Sequence, residues 1–115
     1  MDDDSVNLLY LYDHLSSAGF RVSASSNSLD ALEAIARSRP QVVVCSTGMS
    51  DLTGYELLAR IQEISPGTRV ILMAAPGGWV QYEEARRRGA LDLLFKPCRA
   101  KTVLRVLERM MERAG

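Results

Sequence analysis

One histidine and two cysteines in 115 residues leave little material for a metal centre or a disulfide framework. Cys45 and Cys98 show neither CxxC spacing nor a neighbouring histidine cluster, so they read as reduced cytosolic residues, with Cys45 in a buried strand. A basic excess is missing too. Lysine plus arginine equals aspartate plus glutamate, 14 each, whereas a nucleic-acid binder would gather cations on one face. The one dense basic run, Arg86-Arg87-Arg88, precedes Gly89, where a helix should end and cations complement its dipole. No apolar run approaches the ~20 residues of a membrane span. The opening Met1-Asp2-Asp3-Asp4 is the opposite of a signal peptide's basic, then apolar, start. These absences argue against nucleic acid and membrane as partners and make a cytoplasmic location the expectation.

The length suits one domain, 1–115, and the 47% hydrophobic and 24% charged content is that of a globular chain. Helix-like and strand-like segments alternate. Leu8, Leu11, Tyr12 and Leu15 mark one face of a helix from Ser5 to Ala18, with Asp4 or Ser5 as its cap and Gly19 as its end. Phe20 to Ala24 alternates like a half-buried strand. Ser28 caps a helix through Ala36, with Leu29, Leu32, Ile35 and Ala36 inward. The fully apolar runs Val42 to Cys45 and Val70 to Met73 fit central parallel strands covered on both faces. Between them a loop, Ser46 to Gly54, leads into a helix carrying Tyr55, Leu57, Leu58 and Ile61. After the Pro76-Gly77-Gly78 loop come a helix from about Trp79 to Arg88, a strand from Leu91 to Phe95 and a helix from Ala100 to Arg113. Such alternation predicts a three-layer α/β fold with right-handed crossovers. Function in these sheets sits at the carboxyl ends of the strands, which points to Ser46, Ala74 and Lys96.

The acidic triplet followed by Leu8, Leu11, Leu15 and Gly19-Phe20-x-Val22 resembles the start of response-regulator receiver domains. Pro40 to Leu58 is similar to their third strand and third helix, and Gly89-Ala90-x-Asp92-x-x-x-Lys96-Pro97 to their run into an invariant Lys-Pro. The resemblance covers nearly the whole chain. It implies a flavodoxin-like (CheY-like) parallel sheet of order 2-1-3-4-5 and a place in two-component phosphorelay signalling. It also implies a pocket in which two acids hold Mg²⁺ and an aspartate accepts a phosphoryl group. A Ser or Thr reads that group, and a lysine pairs with it. By register the acids are Asp2 and Asp3, with Asp4 next. The acceptor position is Ser46, the hydroxyl position is Ala74, and Lys96 stands in place.

Two of the five parts are therefore replaced. A serine hydroxyl is neutral at pH 7 and needs an adjacent base to attack phosphorus, and His14 lies on the first helix. Serine also gives Mg²⁺ no charged oxygen, so Asp2 and Asp3 would hold the ion only weakly. Ala74 offers no hydrogen bond to a phosphoryl oxygen. Lys96 would pair with one of the acids. Asp51 is the one acid near the lost acceptor and reads as a solvated loop carboxylate; Gly48 and Met49 read as loop and packing residues. The expectation is a pseudo-receiver, not an enzyme and without a cofactor, acting through protein contacts with a histidine kinase, an output domain or another regulator. The face that receivers commonly use for docking would carry Trp79, Tyr82, Glu83, Arg86, Lys101, Arg105 and Arg109. Leu93 replaces the aromatic that reports the family's switch.

The family opens with an apolar strand directly before its acidic pair, and here that strand would lie upstream of Met1. Its absence would leave two parallel edges unsatisfied. Val6 to Tyr12 could rearrange into a strand, the sheet could be completed by exchange or dimerisation, or the sequence could be part of a longer chain. Self-association is the expectation. Two other classes compete. A cobalamin-binding module shares the alternation but needs D-x-H-x-x-G, and here Asp13-His14 are adjacent on a helix. An anti-anti-sigma-like domain would be phosphorylated at Ser46-Thr47-Gly48, but such domains pack their helices on one side.

Overall fold

The computed structural model describes residues 1–49, 51–75 and 81–114. The first helix, α1 (Ser5–Ser17), starts where the Asp4 carboxylate accepts the Val6 and Asn7 N–H groups at 3.1 and 3.3 Å. That cap satisfies donors the helix itself cannot. Asn27, not Ser28, caps α2 (Ser28–Ser38), accepting from the Asp30 N–H. The strand β1 (Val42–Ser46) follows, then α3 (Gly54–Ile64), β2 (Arg69–Ala74), α4 (Tyr82–Arg87), β3 (Asp92–Phe95) and α5 (Ala100–Ala114). Thr53 caps α3 through the Glu56 N–H.

The three strands form a parallel sheet in the order β1-β2-β3, with Val43 beside Val70 and Leu72 beside Leu93. Every residue of β2 from Val70 onward is buried, as expected for a central strand with helices on both faces. The sheet divides the core in two. Val43, Cys45, Val70, Leu72 and Leu93 pack with α2 and α3, while Ile71 and Met73 pack with Leu11 and Leu15 of α1 and Val103 and Leu107 of α5.

Four expectations change. Val6 to Tyr12 is helical, so it cannot replace a strand. Phe20 to Ala24 has no ladder partner and stands outside the sheet. With Asn27 as the cap, Ala31 and Ile35 carry the inward stripe of α2, leaving Leu29 67% exposed and Ala36 exposed as well. On α1, Leu11 and Leu15 are buried but Tyr12 is 40% exposed. Trp79 and the Pro76-Gly77-Gly78 loop lie outside the described residues.

Candidate functional site

The parallel topology brings the carboxyl ends of β1, β2 and β3 to one edge of the molecule, and with them Ser46, Ala74 and Lys96. Their backbones are tied laterally. The Thr47 N–H donates to the Met73 carbonyl at 2.9 Å, and the Lys96 N–H to the Ala74 carbonyl at 2.7 Å. Met1 and Asp2 lie beside this edge. The Ser46 N–H donates to the Met1 carbonyl at 2.8 Å, which sets Asp2 at the mouth of the site.

Asp2 is its centre. The carboxylate is 1% exposed and accepts Lys96 Nζ at 2.9 and 3.1 Å, Asn7 Nδ2 at 2.6 Å and the Asp4 N–H at 3.1 Å. Burial pushes its pKa up, but the hydrogen bonds from Asn7, Lys96 and the Asp4 N–H outweigh burial and hold it below the ordinary carboxylate value. Lys96 therefore pairs with an acid, and Asp2 is the one. Asp4 is committed to the α1 cap, and Asp3 is exposed. The three adjacent acids thus have three different positions: ion pair, solvent and helix cap.

Ser46 is buried, and its Oγ accepts the Gly48 N–H at 3.3 Å. Ala74 is buried and presents only a methyl group. A Mg²⁺ ion would find Asp3 open, Asp2 already bonded by Lys96 and Asn7, and a neutral hydroxyl at Ser46. Among the described residues no group of three His, Cys, Asp or Glu side chains converges. This donor set does not fit a tight Mg²⁺ site, which needs charged oxygens free to reach octahedral positions. Asp51 is exposed and accepts Ser28 Oγ at 2.6 Å, tying the start of α2 to the loop after β1. That hydrogen bond holds its carboxyl below its usual range. Met49 is buried in the core, as a packing residue should be.

Two contacts were not read from the sequence. Asn7 lies in the first turn of α1, and only the cap at Asp4 could have shown that it turns back toward Asp2. The Tyr10 hydroxyl accepts the Ala100 N–H at 2.9 Å, fixing the start of α5 against α1. Of the docking-face residues, Tyr82, Glu83, Arg86, Lys101, Arg105 and Arg109 are exposed. Arg86 also donates to the Leu91 carbonyl. Phe95, half-exposed beside Lys96, joins that face, while Leu93 is buried. Asp13 and His14 are exposed on α1, with His14 Nδ1 at 2.8 Å from the Tyr10 carbonyl oxygen, far from the strand ends that a cofactor would occupy.

A parallel sheet covered on both faces by helices, with its acid-lysine pair at the carboxyl ends of the strands, is an α/β module of the flavodoxin-like fold. A sequence model of the response regulator receiver domain matches residues 1–108, and the chain belongs to that family. It is 32% identical over 101 residues to the regulatory protein LuxO of Vibrio cholerae, covering 87% of this chain and 22% of that protein. It is 26% identical over 111 residues to the chemotaxis protein CheY of Thermotoga maritima, covering 96% and 92%. A receiver domain from Clostridium thermocellum superposes with a TM-score of 0.89 at 26% identity, over 98% of this chain and 91% of that one. The chain spans about a fifth of the length of the LuxO relatives it matches, and nearly all of CheY. Within this family β1, β2 and β3 stand as the third, fourth and fifth strands. Membership does not favour the cobalamin or anti-anti-sigma readings. No described helix is long and apolar enough to cross a membrane.

Proposed function

We propose that this receiver domain works in two-component signalling as a pseudo-receiver that binds partners without accepting a phosphoryl group. The observation that carries the reading is Ser46 at the end of β1, a buried neutral hydroxyl where the chemistry needs an ionised oxygen. No described histidine or carboxylate is hydrogen-bonded to it as a base. Ala74 removes the hydroxyl that would read the phosphoryl group. Lys96, the cation meant for that group, is engaged by Asp2. Asp2 and Asp3 hold Mg²⁺ weakly at most.

The domain is then a non-enzymatic contact module. Its partner is a histidine kinase, an output domain or another regulator, and a second copy of the chain is a further candidate. The exposed face with Tyr82, Arg86, Lys101 and Arg105 supplies an aromatic anchor among cations. The balanced charge gives no support to a nucleic-acid role.

Incubation with acetyl phosphate and Mg²⁺ tests the reading by intact mass. The expected result is an unchanged mass, and beryllofluoride should leave the fluorescence and amide spectra unchanged. A stoichiometric adduct of about 80 daltons, one phosphoryl group, would overturn the proposal.

A further inference from the structure

Of the described helices, α4 has the least to hold it in place. It is six residues long, about 9 Å, and too short to persist on its own hydrogen bonds. Ala85 is its one buried residue, and a single methyl group fixes neither the tilt nor the rotation of a helix. Gln81 at its start makes no side-chain cap. Yet α4 carries Tyr82 and Arg86 outward, on the exposed face that offers partners an aromatic anchor among cations.

Its contacts converge on one side chain of α3. The Tyr55 hydroxyl accepts the Gln81 N–H at 3.4 Å, taking the place of the missing cap at the start of α4. The guanidinium of Arg88, the residue that closes α4, lies 4.2 Å from the centre of the Tyr55 ring. One tyrosine therefore reaches both ends of the helix. The far end has a second tie. Gln62, two turns along α3 from Tyr55, donates its Nε2 to the Arg88 carbonyl at 2.8 Å, and Glu84 holds Arg88 Nε at 2.9 Å. Gly89 follows with φ +100°, and a side chain there would meet the Gln62 amide, so this close approach requires glycine. The base to which α4 is tied is firm: Leu57, Leu58 and Ile61 of α3 are at most 1% exposed and pack with β1 and β2. Among the described residues, no hydrogen bond or ion pair links these ties to Asp2, Ser46 or Lys96.

We propose that Tyr55, assisted by Gln62, is the positioning residue of the docking face: it straps α4 to α3 at both ends, so that the orientation of Tyr82 and Arg86 is set by α3 and not by the pocket at the strand ends. The two halves of the tyrosine have separate tasks. Its hydroxyl holds the start of α4, and its ring holds the end through Arg88. Losing the hydroxyl alone frees the start; losing the ring frees the end as well. That α4 belongs to a partner-binding face rests on the contact-module reading. Its orientation is measured without any partner, so the strap and that reading fail separately.

The test compares the 115-residue protein with Tyr55→Phe, Tyr55→Leu, Gln62→Ala and Lys96→Met. Amide residual dipolar couplings report the orientation of α4 against β1 and β2. Hydrogen exchange is read at the Ala85 and Arg88 amides, which donate to the Gln81 and Glu84 carbonyls. In Tyr55→Leu the α4 couplings should change while the strand couplings stay, and both amides should exchange on the order of ten-fold faster. Tyr55→Phe keeps the ring and should speed Ala85 alone; Gln62→Ala should speed Arg88 alone. Lys96→Met should leave the α4 couplings as in the parent. Parent-like α4 couplings in Tyr55→Leu would overturn the proposal. So would equal acceleration across β2 and α4, which is a general loss of stability, or an α4 that moves as far in Lys96→Met. If the leucine variant does not fold, Tyr55→Phe decides alone, and an Ala85 rate equal to the parent's sinks the strap.

Discussion

Replacing Lys96 by Met isolates the contact on which the site turns. Asp2 is 1% exposed and the Lys96 side chain 25% exposed, with Nζ 2.9 and 3.1 Å from the two carboxylate oxygens. Removing one partner of a buried pair costs roughly 3–5 kcal/mol when it strands the other charge. Here Asn7 and the Asp4 N–H still bond Asp2, and Lys96 is partly solvated, so the loss at pH 7 should be about 2–3 kcal/mol. For a domain of this size that lowers Tm by roughly 10 °C.

The pH dependence carries the diagnosis. The folded-state pKa of Asp2 is depressed, so its stabilisation is fully present above the ordinary carboxylate value of 3.8 and is lost as pH falls through the folded value. In Lys96→Met, burial regains weight and Asp2 protonates at a higher pH than in the parent. The gap between parent and variant should therefore be widest at neutral pH and narrow below about pH 4. Asp2→Asn should cost less, about 1–2 kcal/mol, because Lys96 can turn to solvent. Urea unfolding of parent, both single variants and the double variant at neutral pH and well below the ordinary Asp value measures this. A Lys96→Met cost that is the same at both pH values would refute an ion pair as the stabilising contact.

Ser46→Asp should restore a carboxylate beside the Asp2–Lys96 pair; stability should then rise with Mg²⁺ concentration, as the parent's does not, when melting is followed across a Mg²⁺ titration. Gly54→Ala would place a Cβ 2.7 Å from Thr47 Cγ2 and 2.8 Å from its Cβ, so chemical denaturation should report a loss of about 1–3 kcal/mol. Asp4→Ala removes the α1 cap and should cost about 1 kcal/mol by the same measurement. Cys45 is fully buried and burial pushes its thiol up to about 11, so iodoacetamide at pH 8 should label Cys98 first; peptide mapping should find both labelled only in urea.

The elements most legible in the sequence are those whose pattern is enforced by burial on both faces. Val42 to Cys45 and Val70 to Met73 fit central strands; both lie in the sheet, β2 at its centre and β1 at an edge of the three described strands. Gly89 ends α4 with φ +100°, which its lack of a side chain permits. Phe20 to Ala24 shows the limit of such reading. Its alternation is that of a strand, but a strand exists only when a neighbour completes its ladder, and among the described residues the Asp2 N–H to Ser25 carbonyl bond ties the end of this segment to the site without forming one. The site was legible as positions rather than contacts. Counting back from Gly54 and along Val70 to Ala75 placed Ser46 and Ala74, with Lys96, at adjacent strand ends, because parallel topology aligns every carboxyl terminus. Which acid Lys96 would choose was not readable. Asp4 was readable as a helix cap, but that Met1 pairs with Ser46 and so buries Asp2 beside Lys96 is a tertiary fact.

On the pseudo-receiver reading proposed above, Ser46 in place of a carboxylate has a consequence for the charges that remain. With an acid at that position, three carboxylates would crowd one lysine, and a divalent cation would be needed to hold them together. With serine, Asp2 and Lys96 balance each other, and Asp2 has its hydrogen bonds filled by Asn7 and the Asp4 N–H. The pocket then needs no ion to be stable and has no charge left for a phosphoryl group to recruit. A switch requires two arrangements that a ligand can bias, and a saturated ion pair disfavours the second arrangement by the cost of breaking it. On the proposed reading, the serine that cannot act as a nucleophile also leaves Asp2 and Lys96 in one arrangement. That makes the surface near β3 and α5 a constant shape for partners to read, and it predicts that partner affinity will not change when acetyl phosphate is added. Calorimetric titration with and without it would show the difference.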